Sequence, residues 1–407
     1  MKINKQVLFF LLFFYFFLFK AFLEKQISIL KYADELAALI AVPIFLVQLK
    51  RDRFKLKMGA IQVGYGRYIV LMMIVGAVSS LRFRYQPVAA ALSDAFLNVK
   101  FWLAIYVGKS FIPGFLCQRN AKDVFAHIKL MTWFYVTMVA MDTLFKIFPA
   151  DIRYGLRSIQ LFYPHPTYFV NCCIFLISIL LSIRDWINGS EKYLAILLLL
   201  MCTTLRSKAF GIACAIALIY YFAYIRKKKI TVRTVALFAP VVVALSWEQI
   251  EYYFFSSIQN DSARYQLLVK SIQVANDHFP FGGGFATYAS YYSAVYYSPF
   301  YERYGLSTVN GLRPDGGAFI SDSFWPMILG QFGWLGLICY CAALLALFMR
   351  IQKMREYSKA IYTSGLSILV HLLITSTGES AFVHPLAIPL AIWLGILFKT
   401  RKPEKLP

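Results

Sequence analysis

The sequence predicts an all-α polytopic membrane protein of about twelve helices with one long extracytoplasmic loop, and three observations predict it. The 407 residues are 59% hydrophobic and 15% charged, with a mean hydropathy of +0.60. Soluble domains carry about 25% charged residues. Apolar runs of roughly 17–22 residues recur along the chain, the length a helix needs to cross a bilayer. The basic residues gather in short loops between those runs: Lys50-Arg51-Asp52-Arg53 with Lys55 and Lys57, Arg226 to Lys229, Arg350 to Arg355, and Arg401-Lys402. That is the positive-inside pattern, and it makes those loops and both termini cytoplasmic.

The first run, 7–23, resembles a signal peptide but lacks a small-residue cleavage site, and Lys20 is followed by Ala21-Phe22-Leu23. It reads as a retained first helix. Spans follow at 33–49, 65–81, 88–107 and 128–147. The fourth is interrupted by Asp94 and Lys100, which do not stack on one helical face, so each needs a partner elsewhere. Asp142 and Lys146 in the fifth form an i,i+4 pair able to neutralise itself. Intramembrane charges face a partner or a cavity. Spans at 167–183, 191–205, 209–225 and 233–249 precede the loop; 326–348, 360–376 and 382–399 follow it. Residues 1–407 read as a single membrane domain with 250–325 as an inserted extracytoplasmic loop.

The formal net charge of +22 is accounted for by topology and by anionic headgroups beside the loops. No nucleic-acid partner is implied. Cys117 falls in a predicted cytoplasmic loop, and Cys172, Cys173, Cys202, Cys214, Cys339 and Cys341 fall in apolar spans, so the outer loop has no disulfide framework. No CxxC or HxxxH spacing offers a metal site, and no cofactor motif is present. His127, His165, His371 and His384 stand alone in sequence; His278 precedes a glycine cluster.

The long polar segment is where chemistry is expected, because loops of this length are usually functional. It carries Phe279-Pro280-Phe281-Gly282-Gly283-Gly284-Phe285 and Ile320-Ser321-Asp322-Ser323-Phe324-Trp325-Pro326. A helix is expected over 262–276, ending at Pro280 and the glycines, and a second over 288–304. Gly283 and Gly284 mark either a close approach of backbone to ligand or a helix stop. Tyr288, Tyr292 and their neighbours suit sugar rings and bilayer interfaces alike.

Positive-inside bias leaves few basic residues on the outer face. Arg206, in the tight turn Thr203-Thr204-Leu205-Arg206-Ser207-Lys208, either grips a lipid-linked phosphate or snorkels to headgroups. Arg264 starts the loop helix, as a phosphate ligand or as a partner of Asp261. Arg303 and Arg313, among Tyr301, Tyr304, Pro314, Asp315 and Gly316, are either phosphate ligands or members of loop-stabilising ion pairs. Asp322 and Glu379 sit at the outer ends of two spans, where either can accept a proton as general base; N-capping is the alternative for Asp322.

These segments, with Met327-Ile328-Leu329-Gly330-Gln331-Phe332-Gly333-Trp334-Leu335-Gly336 after them, resemble the O-antigen polymerase and ligase superfamily over roughly residues 200–345. The resemblance implies a GT-C-like, metal-independent inverting glycosyltransferase of the bacterial inner membrane. Its donor and acceptor would be undecaprenyl-diphosphate-linked glycans, with membrane lipid around it and a chain-length regulator or flippase as partner. Arg206 and Arg264 match the two positions thought to hold the diphosphate. Ligases of the superfamily usually carry His-Asn where this chain has Ser321-Asp322. The resemblance therefore favours a Wzy-type polymerase of O-antigen, capsule or exopolysaccharide repeat units. A ligase of finished glycan is the nearest alternative, and a lipid-linked oligosaccharide flippase the alternative from another class.

Overall fold

A computed structural model describes residues 5–51, 64–111, 115–226, 262–317 and 319–399. The chain is almost wholly helical: α1 (Lys5–Gln26), α2 (Ala33–Leu39), α3 (Ala41–Arg51), α4 (Gly64–Phe83), α5 (Val88–Phe111), α6 (Gln118–Phe145), α7 (Pro166–Ile183), α8 (Ser190–Cys202) and α9 (Ser207–Tyr220). After the long loop's α10 (Ala263–Asp277), α11 (Tyr291–Val295) and α12 (Pro299–Arg303) come α13 (Phe324–Met354), α14 (Lys359–Ser376) and α15 (Ala387–Lys399). Strands β1 (Ile152–Arg153) and β2 (Leu156–Arg157) form a small antiparallel hairpin that the hydrophobic pattern does not announce.

Among the described residues, eight helices are long and apolar enough to cross a membrane, which makes this a multi-pass membrane protein. The expected count of about twelve differs for identifiable reasons. The span at 33–49 is divided at Ile40 into α2 and α3. Those at 191–205 and 382–399 become helices of only 13 residues, and that at 233–249 lies outside the described residues.

α5 and α15 form the closest helix pair. A Cβ at Gly108 would lie 2.0 Å from the Ile392 carbonyl oxygen, and one at Gly395 would lie 2.2 Å from that of Ile105. Two facing glycines thus let the backbones touch, as small residues do between membrane helices. α14 packs on α7 and α9, and α13 packs on α4 and α10.

The glycine cluster enters the bundle instead of capping a helix at its surface. α13 is broken at Gly333, whose φ of 62° and ψ of −167° are non-helical. Into that break run Pro280 to Gly284. The Gly283 and Gly284 amides donate to the carbonyls of Gly330 and Gln331 at 2.9 and 2.8 Å, and the Leu335 amide donates to Pro280 O at 3.2 Å. A Cβ at Gly282, at φ +75°, would stand 2.3 Å from the Gly333 nitrogen, so the contact requires glycine. Irregular backbone survives at membrane depth only when buried in protein like this. The neighbouring helices complete the seat. Ser80 Oγ accepts from Phe285 N at 2.8 Å, and Asp94 Oδ2 accepts from Ala286 N at 2.9 Å.

The intramembrane charges find partners, not always the expected ones. Lys100 donates to Asp34 at 2.7 Å, and Asp94 is held by the loop and by Asn98, so each does find a partner outside the pair. Asp142 does not pair with Lys146. Lys146 takes a left-handed C-cap (φ 52°) that ends α6, and Asp142 receives the Phe148 amide at 2.8 Å and Arg157 at 3.1 Å. The expected helix over 262–276 is α10, whereas 288–304 divides into the two five-residue helices α11 and α12.

Gly108→Val and Gly395→Val should each force α5 from α15, at a cost of about 1–3 kcal/mol or more. Thermal unfolding of the detergent-solubilised protein reads this directly: both variants should melt lower, and an unchanged Tm would refute the close packing.

Candidate functional site

One end of the bundle gathers the starts of α7, α9 and α10 and the finish of α14 around a cavity of about 120 Å³. α7 starts at His165, whose ring nitrogen Nδ1 accepts from the Thr167 amide at 3.3 Å, with Pro166 at the first helical position. Proline suits that place because its missing N–H has no intrahelical partner. An Nδ1 that accepts a backbone proton leaves a neutral ring protonated at Nε2. The electrostatics agree: burial, then Arg206 and Lys208, hold the His165 pKa below its ordinary value.

Arg206 is placed by its turn. The hydroxyls of Thr203 and Thr204 donate back to the carbonyls of Leu200 and Met201, both at 2.7 Å, and close α8. Leu205 then takes a left-handed φ of 49°, and Arg206 becomes the residue before α9. Ser158 Oγ donates to Thr204 O at 2.7 Å, which ties the turn to the hairpin segment; Asp151 on that segment accepts from Arg206 at 3.1 Å. Arg264, in the first turn of α10, reaches Asp322 at 3.4 Å. Asp322 is therefore not an N-cap: it ends a short turn before Ser323, and Ser323 makes no side-chain cap bond either.

The second carboxylate comes from the turn that follows α14. His371 and Thr375, at i and i+4, share one face of the helix, and Glu379 sits just past its end; all three line the cavity. Lys208 donates to Glu379 at 3.1 Å and Thr167 donates to it at 3.4 Å. Gly378 makes room for this: a Cβ there would lie 2.8 Å from Lys208 Nζ and 3.8 Å from Arg264 Nη1. Two bonds hold the Asp322 segment to the end of α14, Ser380 Oγ to Ser321 O at 2.5 Å and Trp325 Nε1 to Ser376 Oγ at 3.2 Å.

The result is a cavity with a cationic lining and a carboxylate beside it. Arg153, Arg206, Lys208 and Arg264 line the cavity against the single carboxylate of Glu379. The positive ends of α7, α9 and α10 add to that field, as helix N-termini do for phosphates. Planar guanidinium groups supply the forked donors that phosphate oxygens take in pairs. The two carboxylates differ in basicity. Burial raises the Asp322 pKa, and Arg264 only partly offsets it. Burial pushes Glu379 the same way, but Lys208, His384 and His165 outweigh it and leave its pKa below the usual value.

The structure thus brings Arg206, Arg264, Asp322 and Glu379 to one place from turns far apart in sequence. It does not bring the other expected residues there. Arg303 lies on the surface, donating to Tyr85 at 3.2 Å, and Arg313 donates to Thr308 O at 3.4 Å. Neither lines the cavity; of the segment between α12 and α13, it is Asp322 at its far end that meets Arg264. Gly283 and Gly284 are buried in the seat at α13 and meet Phe300 and Ser80, where no glycan reaches them. Tyr288 is fully buried and donates to Leu267 O at 2.7 Å, which makes it core. Tyr292 is half-buried on α11, which packs on α5 and on the turn Ile320–Asp322, and it does not line the cavity.

Lys208, His165, Thr167, His371 and Thr375 line the cavity without having been singled out as site residues. The i, i+4 spacing of His371 and Thr375 on α14 and the His165-Pro166-Thr167 helix start are signals that would have found four of the five. No family model matches the chain, and no curated protein matches it.

The unequal carboxylates give a pH order. A raised pKa means that Asp322 takes up its proton at a higher pH than an ordinary aspartate, and a lowered one that Glu379 keeps its charge further into acid. On acidification the infrared carboxyl band that is lost in Asp322→Asn should appear before the band that is lost in Glu379→Gln. The reverse order would contradict the electrostatics of the site.

Proposed function

We propose that this protein is a glycosyltransferase that polymerises lipid-diphosphate-linked oligosaccharide repeat units into a bacterial surface polysaccharide, at the extracytoplasmic face of the plasma membrane. The observation that carries this reading is the meeting of Arg206, Lys208, Arg264 and Glu379 around one cavity at one end of a membrane bundle, with Asp322 beside it on Arg264.

The reaction needs a leaving group held and an acceptor deprotonated. An acceptor sugar hydroxyl attacks the anomeric carbon of the donor from the face opposite the diphosphate. The new carbon–oxygen bond forms as the bond to the diphosphate oxygen breaks, and that oxygen keeps the electron pair. Arg206 and Arg264, with Lys208, stabilise the charge that accumulates there. The hydroxyl proton passes to a carboxylate, and Asp322 is the stronger candidate because its raised pKa makes it the better base. The resting ion pairs fit this role: Asp151 and Asp322 hold the arginines in place until phosphate oxygens replace them.

In a host deleted for the gene, wild type should restore polymer. Arg206→Ala and Arg264→Ala should each lower it by about 10²-fold or more, with protein still inserted and single lipid-linked repeat units accumulating. Size profiling of lipid-linked glycans decides. Normal polymer from both variants would refute the assignment. Long lipid-linked chains in the deletion would mark a ligase instead, and an unchanged profile would return the flippase reading.

A further inference from the structure

A wide apolar groove of about 730 Å³ runs between α3, α4 and α5 and shares no lining residue with the candidate site. Its lining follows one face of each long helix, from Tyr65 to Ala77 on α4 and from Leu92 to Lys109 on α5, with Val42 and Phe45 added from α3. We propose that this groove binds an anionic phospholipid, with an acyl chain along α4 and α5 and the headgroup phosphate on Lys109 and Arg350. The site needs only the multi-pass membrane class and is independent of the polymerase reading.

Length and exposure select an alkyl chain as the occupant. At the rise of an α-helix the lining extends about 18 Å along α4 and about 26 Å along α5. One leaflet supplies about half of the bilayer's roughly 30 Å hydrocarbon core. The groove therefore reaches past one leaflet and stops short of the opposite surface, which suits a chain anchored at one end and not a crossing helix. Val42, Phe45, Val70, Ile74 and Leu92 are exposed, so the groove is open at the surface of the bundle, where lipid is the neighbour. Phe285 lines it toward Ala77. Its ring packs on Gly76, where an added Cβ would lie 2.7 Å away, and on Phe332 at 5.5 Å. The seated loop thus supplies part of the wall at that end.

Charge places the headgroup at the other end. Among the described residues, Lys109 is the one charged group in the lining. Its Nζ stands 5.4 Å from the centre of the Tyr65 ring and 5.8 Å from that of Phe398. The Arg350 guanidinium stands 5.4 Å from the same Phe398 ring. Two cations thus share one aromatic ring, and their like charges repel. Among the described residues neither is paired with a carboxylate. A headgroup of net negative charge relieves that repulsion, with a planar fork of donors from Arg350 and a point charge from Lys109. Arg350 lies roughly 39 Å along α13 from Phe324, at the end away from the candidate site. The positive-inside pattern turns this end to the cytoplasm, where basic pockets between membrane helices meet anionic lipid.

The test titrates the detergent-purified full-length protein with phosphatidylglycerol that carries a brominated acyl chain, because bromine quenches indole fluorescence on contact. Trp102 lines the groove, and Trp102→Phe gives the background from the other indoles. Wild type should bind this lipid about tenfold or more tightly than brominated phosphatidylcholine. Lys109→Gln and Arg350→Gln should each weaken phosphatidylglycerol binding about fivefold, the effect of one basic residue at an anionic lipid surface. Neither should change the binding of phosphatidylcholine. Arg350 is exposed, so its variant keeps the test open if Lys109→Gln unfolds. Ala95→Phe should fill the groove and cut quenching by both lipids. Equal affinity of wild type for the two lipids, or unchanged phosphatidylglycerol affinity in Arg350→Gln, would overturn the proposal. Glycerol phosphate, which has the headgroup without the chains, should not compete; competition at the lipid's own concentration would reduce the site to an anion site and overturn the groove. Undecaprenyl phosphate displacing phosphatidylglycerol with tighter affinity would overturn the phospholipid as occupant.

Discussion

The architecture depends on a backbone contact, the seating of Pro280 to Gly284 in the break of α13 at Gly333. Breaking a helix inside a membrane frees carbonyls that lipid cannot satisfy, and the loop satisfies them with its own amides. Because the loop is anchored there, the elements flanking it are fixed as well: α10, which carries Arg264, packs along α13, and the turn with Asp322 leads directly into α13. The glycines thus act on the site from a distance. They set where the loop's two useful ends come to rest.

The cavity stores its charges in pairs. Each of Arg206, Lys208 and Arg264 rests on one carboxylate: Asp151, Glu379 and Asp322 respectively. Partly exposed pairs like these contribute little to stability. Their value lies in preorganisation, since long flexible side chains are already extended toward the space a ligand would fill. A ligand with more negative charge than a single carboxylate competes for those donors without first having to order them.

The membrane class and the helix over 262–276 were legible in the sequence, and so were reasons to single out Arg206, Arg264, Asp322 and Glu379, which the fold brings close together. Hydropathy and loop charge act locally, so they read out span by span. Arg206 and Glu379 stood out because polar groups at the rim of apolar spans need a reason to be there. What was not legible was pairing between distant segments. Nothing near Asp142 in sequence marks Arg157 as its partner, since the hairpin that delivers it is only two residues per strand. The aromatic residues of the loop misled because Tyr288 has the same composition signal whether its ring is buried or exposed. Gly283 and Gly284 misled in a related way: a glycine needed for close backbone approach looks the same whether the visitor is a ligand or another helix.

The two polar groups buried in the middle of α5 impose an order on biogenesis. Lys100 meets Asp34, made 66 residues earlier, so its counter-charge is already in place as the helix leaves the ribosome. Asp94 meets the Ala286 amide, made 192 residues later. α5 must therefore wait in the bilayer with that carboxylate held only by Asn98, within the same helix, while three more of the described long apolar helices are synthesised. The wait ends when the loop closes over it. A truncated chain that stops before the loop would leave this carboxylate with Asn98 as its one side-chain donor in the helix, so it would lack the contact that closes the finished protein.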